Sequence, residues 1–525
     1  MEHNWKPGAL QRIPLHPFFA AAYPVLALLA LNAPEIRPAD SLRAFTLSLL
    51  LAAALLLLLR LLLRTWTRAA ILTTLVLLVF FSYGHLYALL RASSGLAALG
   101  RHRYLAVLCL AMVVAAAVYL WRRDPSPVLT TFLNLGTIVA VALTAGQSLW
   151  RYADAWSPEA QAEPASQSLL DLSPPADAAL PDVYYIILDS YSRADVLEDT
   201  FGFDNTPFLQ SLEAMGFDVA SQSRSNYAVT RLSLPSSLNM DYLDALGPWP
   251  DPDARDAAWI DRVAKSSVVR KSLEAMGYTV VAFESTIGMT DWRDSDVYLS
   301  PRPLSLSDAA AFGRLNPLEV MLVQTSMGRL VIDGRVQLNA LLQTEIQDPY
   351  ESHRELILFT LDRLSRAPEI AGPKFVFAHL MIPHRPYVFT AEGGVAETGE
   401  IFTLAEDDGG VSGQASVEGY VGQVTYLNSR LLELVETILK DSAVPPVIIL
   451  QGDHGAQETG PDDRMKILNV YYLPGVGPEG VCESISPVNT FRVVFNAYFG
   501  ADLPLLEDRS YYSTVDVPYV LTPIP

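Results

Sequence analysis

Three short apolar runs in the 525-residue chain end on groups that can hold a metal ion. "VYYIIL" (183–188) ends on Asp189, and "VIIL" (447–450) leads through Gln451 and Gly452 to Asp453 and His454. "KFVFAHLMIPH" (374–384) passes His379 and reaches His384. Taken singly, an acid after a strand is a turn or helix cap and a lone histidine is a packed side chain. Taken together, the runs read as buried strands, and ligands in open α/β sheets bind beyond the carboxyl ends of strands. Asp and His combined suit one divalent ion of Zn or Mn type better than Ca, which prefers oxygen cages.

"SNYAVTRLSLPSSLN" (225–239) adds hydroxyls. Read plainly, it is a serine-rich loop before a helix. Read chemically, Thr230 is a nucleophile. A threonine hydroxyl is weak near neutral pH, and a nearby divalent metal lowers its pKa, which explains why an Asp/Asp/His set and a hydroxyl would belong together.

The elements that position these residues alternate between helix and short apolar strand from Pro181 onward. "PFLQSLEAMGF" (207–217) and "YVGQVTYLNSRLLELVETILK" (420–440) have helical spacing, and "SLEAMGYTVVAFES" (272–285) is a helix end, a glycine and a strand. This pattern predicts an α/β domain with a largely parallel, covered sheet over 181–525.

The front of the chain has a different character. Residues 1–150 hold 12 basic and 4 acidic residues, which leaves 25 basic and 53 acidic in the rest. Apolar stretches at 15–32, 44–63, 69–90, 104–121 and 127–150 predict about five membrane helices over 1–151. With the N-terminus inside, basic residues lean seven to five toward the cytoplasmic side, and everything after Trp150 lies outside the cytoplasm. Residues 152–180, rich in Pro, Ala and acids, read as a juxtamembrane linker. The acidity of the large domain argues against nucleic acid as a partner. Cys109 and Cys482 are the two cysteines, too few for CxxC zinc sites.

The motifs "YYIILDSYSRADV", "TRLSLP", "HLMIPHRPY" and "QGDHG" resemble those of the alkaline phosphatase/sulfatase superfamily. Within it they resemble the membrane-anchored branch of lipid A phosphoethanolamine transferases and lipoteichoic acid synthases. The resemblance implies an alkaline-phosphatase-like three-layer domain behind a helical membrane domain, in a multi-pass protein of the plasma or inner membrane with its catalytic domain extracytoplasmic. It implies Asp189, Thr230, Asp453 and His454 around one divalent metal, Thr230 as nucleophile, His384 at the transferred group and His379 assisting it. The chain departs from formylglycine sulfatases, because "TRLSLPSS" has no Cys and no Arg after the serines, and Ser190 replaces a second acid after Asp189. It also cannot form the disulfides usual in phosphoethanolamine transferases.

The expected function is transfer of a phospho-head-group, of phosphoglycerol or phosphoethanolamine type, from a phospholipid to an envelope acceptor through a phospho-threonine. A hydrolase of the same fold (phosphodiesterase, phosphatase or sulfatase) is the first alternative. A non-catalytic membrane sensor or scaffold is the second.

Overall fold

The computed structural model describes residues 13–31, 38–92, 99–155, 169–170, 172–174, 179–247, 249, 258–301, 316–332, 349–396, 414–477, 480–514 and 517–524. The chain divides into two compact units. One is Met1–Pro158 with Ser305–Asp348, and the other is Glu159–Leu304 with Pro349–Pro525. Most of the 152–180 linker lies outside the described residues.

The first unit begins with five helices: α1 His16–Leu31, α2 Leu42–Leu63, α3 Trp66–Ala92, α4 His102–Arg122 and α5 Pro127–Ala155. They match the five apolar stretches of the sequence to within a few residues. Four stretches, Pro38–Leu63, Trp66–Leu90, His102–Arg122 and Val128–Trp150, are long and apolar enough to cross a membrane, and His16–Leu31 is shorter. α1 runs through Pro24 without a break. Large apolar side chains such as Leu61, Leu62 and Trp121 face outward on α2 and α4, as expected of helices solvated by lipid. The segment 305–348 joins this unit although the sequence pattern placed it in the C-terminal domain. Its longer described helix, Pro317–Thr325, is nine residues long. By length and periodicity it cannot be told from a core helix of an α/β domain.

The second unit is built on a seven-stranded sheet of order β2-β7-β6-β1-β5-β3-β4. The strands are β1 Val183–Leu188, β2 Asp218–Val219, β3 Thr279–Phe283, β4 Val297–Leu299, β5 Lys374–Leu380, β6 Val447–Gly452 and β7 Asn469–Tyr472. β1 pairs in parallel with β5 and β6, and β3 with β4 and β5. Only β7 and β2 bring antiparallel pairing. The central strands are buried throughout and mostly apolar, with exceptions such as His379 in β5 and Gln451 in β6, because both faces are covered. Tyr184, Ile186, Leu188, Val376, Ala378 and Leu450 join one core with the helix Gln414–Asp441. Val183, Tyr185, Ile187, Phe375, Phe377 and Ile449 join the other with Leu234 and Leu238 of the helix Thr230–Asn239. The architecture is therefore the expected three-layer one behind a helical membrane domain. Ser510–Tyr512 and Thr522–Ile524 form a separate two-stranded ribbon.

Candidate metal centre

Strand register assembles the centre. Leu188, the last residue of β1, lies opposite Leu380 of β5 and Gly452 of β6. The residue after Leu188 is Asp189 and the residue after Gly452 is Asp453, side by side at the carboxyl edge of the sheet. Asp189, Asp453 and His454 are all buried, and each offers a ligand atom within 4.8 Å of the others. His454 Nε2 stands 3.5 Å from Asp453 Oδ2 and 3.9 Å from Asp189 Oδ1.

The glycines flanking Asp453–His454 are required by close approach of backbone. A Cβ on Gly452 would sit 2.5 Å from the Tyr191 carbonyl oxygen. A Cβ on Gly455 would meet the carbonyls of Asp463, Arg464 and Lys466 at 2.9, 3.0 and 3.1 Å. Without side chains there, the 452–455 turn lies flat against the 463–467 segment and the loop after β1, with Gly455 N–H donating to the Arg464 carbonyl at 2.7 Å.

Thr230 arrives as the first residue of its helix. Its Oγ1 lies 3.2 Å from His454 Nε2 and 3.5 Å from Asp189 Oδ2. Three expected ligands and the expected nucleophile thus share one enclosed space. The helix N-terminus adds its positive dipole end, which favours anionic groups at this hydroxyl.

Two details show that the residues fit a divalent cation. His454 Nδ1–H donates to the Gly455 carbonyl at 2.9 Å, which leaves Nε2 as a lone pair aimed at the carboxylates. Oδ2 of Asp453 is buried and receives no hydrogen bond of normal geometry, although the Thr230 hydroxyl sits close enough to favour its charged form. Burial alone would raise the Asp189 carboxyl, but the imidazoles of His384, His379 and His454 reverse this and hold it well below the usual range. Asp453 is pushed the other way, by burial and then by the Asp189 charge. Two carboxylates competing in this way are what a divalent cation would neutralise. An Asp, Asp, His and hydroxyl set suits Zn or Mn.

The two remaining histidines are placed differently. His379 is opposite Ile187, inside β5 rather than beyond its end. Its Nε2 meets Asp189 Oδ2 at 3.1 Å and its Nδ1 meets Thr290 Oγ1 at 3.0 Å, with the side chain fully enclosed. His384 lines a recess with Ser190, Arg385, Gln457 and Glu458. Its Nδ1–H donates to the Arg385 carbonyl, and the Gln457 amide donates to its Nε2 at 2.9 Å. Gln423 holds the His384 loop by donating to the carbonyls of Pro383 and His384.

No protein-family model and no curated protein matches the chain. Among solved structures, the chain is similar to the C-terminal periplasmic domain of EcEptC from Escherichia coli. The identity is 12%, covering 66% of this chain and 94% of that one, with a TM-score of 0.41. It is similar to the integral membrane lipooligosaccharide phosphoethanolamine transferase A of Neisseria meningitidis, at 13% identity over 93% of this chain and 95% of that one, TM-score 0.38. It is also similar to the lipoteichoic acid synthase LtaP of Listeria monocytogenes, at 14% identity over 59% and 71% of the two chains, TM-score 0.34.

Several residues of the centre were not singled out from sequence. Ser190, in the left-handed region at φ 64°, donates its N–H to Asp453 Oδ1 at 3.0 Å and its hydroxyl to Asp189 Oδ1 at 3.1 Å. Ser225 and Ser233 both donate to the Asp453 carbonyl, at 2.5 and 2.7 Å. The signal for Ser233 was its place one helical turn after Thr230. Gln457 and Thr290 carried no signal beyond polarity.

Proposed function

We propose that the second unit is a metal-dependent phosphotransferase that moves a phospho-head-group from a phospholipid to an envelope acceptor through a phospho-threonine at Thr230. The observation that supports this reading is the position of the Thr230 hydroxyl, at a helix N-terminus and between Asp189 and His454. A bound divalent ion would supply charge that lowers the hydroxyl pKa and screens the phosphoryl oxygens.

The protein's own groups do the rest. Asp189, Asp453 and His454 would hold the ion, and Ser190 orients both carboxylates. The N-terminus of helix Thr230–Asn239 fixes the nucleophile and favours the phosphoryl charge. Thr230 Oγ1, its proton released to solvent, bonds to phosphorus as the bond to the lipid alcohol breaks. His384, once protonated at Nε2 with the Gln457 amide turned to offer its oxygen, stabilises charge on the transferred group and delivers that proton to the leaving oxygen. An acceptor hydroxyl then displaces Thr230. A water molecule in its place would make the same centre a phosphodiesterase.

The test is peptide mass spectrometry after incubation with labelled phospholipid and metal. A phosphorus-containing increment on Thr230, slowed in His384→Ala and absent in Thr230→Ala, supports the reading. Activity that survives in Thr230→Ala, or an adduct on Ser233 or Ser236, rejects it.

A further inference from the structure

The segment 316–332 lies in the sequence between strands of the second unit, yet it packs among the membrane helices of the first. Its path goes inward. Leu318 is fully buried in a cluster with Val25, Leu29 and Ala44. Leu322, one turn further on, packs against the cluster of Ala21, Ala52, Leu77 and Phe81, from the middles of α1, α2 and α3. Met327 and Leu330 pack against Val79, Tyr83, Leu105 and Cys109.

The seat is specific at the level of backbone. Met327 N–H donates to the Phe80 carbonyl at 2.7 Å. Phe80 lies twelve residues before the end of α3, or roughly 18 Å along the helix at 1.5 Å per residue. Gly84 makes that approach possible, because a Cβ there would fall 2.1 Å from the Gln324 carbonyl oxygen and 2.6 Å from the Thr325 carbonyl carbon. The turn satisfies its own polar groups. Gly328 N–H donates to Ser326 Oγ at 3.1 Å, and Ser326 Oγ–H donates to the Val323 carbonyl at 3.2 Å.

The outer end is locked by charge. Asn316 and Glu319 form a capping box, and the Asn316 amide donates to the Asp40 carbonyl at 2.8 Å. The Glu319 carboxylate takes both arms of the Arg43 guanidinium, with Nε to Oε1 at 2.6 Å. On the returning side, the Arg329 guanidinium sits 4.5 Å over the Tyr87 ring, which itself stacks on His102.

Non-helical backbone at membrane depth is tolerated only where protein covers it and pairs its polar groups. Residues 316–332 meet both conditions. We propose that they form a re-entrant membrane element, and that the C-terminal half is held to the membrane unit by this element as well as by the linker after α5. The occupant of the groove around Gly84 is thus a part of the chain made long after the helices themselves. Cutting the linker alone would not free the catalytic half.

The experiment uses the full chain in membrane vesicles, with a specific protease site placed within 156–168. Leu29→Cys and Leu318→Cys are introduced in a Cys109→Ser, Cys482→Ser background. After cleavage and a carbonate wash, the C-terminal fragment should remain in the membrane pellet. Mild oxidation should join the two fragments on a non-reducing denaturing gel, and reductant should separate them. Release of the fragment by linker cleavage overturns the proposal. Retention without the Leu29–Leu318 cross-link also overturns it, since the fragment would then be held by another surface.

Discussion

His379 Nε2 meets Asp189 Oδ2 at 3.1 Å in a space that neither side chain leaves. A histidine that bonds a metal-ligating carboxylate orients it, and loss of such a partner costs about 10–100-fold in metal affinity. His379→Ala is expected to weaken metal binding by that factor, and Thr290→Val to weaken it less. Titration of the purified protein with Zn or Mn, read by calorimetry, checks both. Unchanged affinity in His379→Ala would show that Asp189 needs no such support.

Direct ligands should matter more. Asp453→Ala or His454→Ala is expected to remove most of the bound metal, because either change leaves too small a donor set. Elemental analysis after gel filtration reads the metal content of each variant against the parent chain. Full metal content in both would remove the centre.

Gly452→Ala is expected to destabilise the second unit by about 1–3 kcal/mol, as overpacking does, since its Cβ has the Tyr191 carbonyl 2.5 Å away. The turn that carries Asp453 would shift with it, so metal binding should fall together with thermal stability. A variant that is as stable as the parent would mean that the Tyr191 loop gives way freely.

Asp291 supplies a pH dependence away from the centre. Burial pushes its carboxyl up to about 6, against the opposing effect of the Tyr298 hydroxyl that donates to it. The folded form therefore favours the neutral acid. Stability from this group is full below pH 4 and falls as pH rises through about 6, by less than the shift alone would give because Arg293 Nε lies 2.5 Å from Asp291 Oδ2 and favours the ionised form. Asp291→Asn should remove that slope, so parent and variant should differ more at pH 7 than at pH 4. Unfolding curves at the two pH values that run parallel would reject the assignment.

Gly84→Leu is expected to unseat the 324–327 turn, because the first atom of any side chain overlaps backbone there. The yield of the Leu29→Cys/Leu318→Cys cross-link should fall sharply while α3 remains helical by circular dichroism. An unchanged yield would show that the groove accommodates the larger side chain.

Much of this arrangement was legible in the sequence. Fully apolar strands ending on Asp189 and Asp453 require a covered parallel sheet, and register then leaves those acids no place but a shared edge. Thr230 could be placed because hydroxyl chemistry needs a neighbouring charge. The facing of His379 was half legible. It follows Phe375 and Phe377 at a spacing of two, on the sheet face that the Thr230 helix covers. What hid its role was that it lies one residue inside the strand, where a contact with Asp189 depends on the neighbouring chain. Ser190 was visible only as a missing acid. Its left-handed backbone, which turns both its N–H and hydroxyl toward the two carboxylates, is a property of the folded loop. The segment 316–332 was hidden for another reason. Nine helical residues and a turn are too short to register as a membrane element, and the partners that define it are about 230 to 300 positions earlier.

Those distances also set an order of events during synthesis. α5 ends at Ala155, whereas the last described helix of the membrane unit, Arg329–Ile332, comes much later. At 5–20 residues per second, the ribosome needs roughly 9–35 s to cover that interval. For that time the helical bundle stands complete in sequence but open at Gly84, with the Phe80 carbonyl still waiting for Met327. The strands β1 to β4, but not β5, β6 or the candidate ligands Asp453 and His454, are made within the same interval. Closure of the bundle therefore comes late and completion of the candidate metal centre later still, so a nascent chain stalled before residue 316 carries neither.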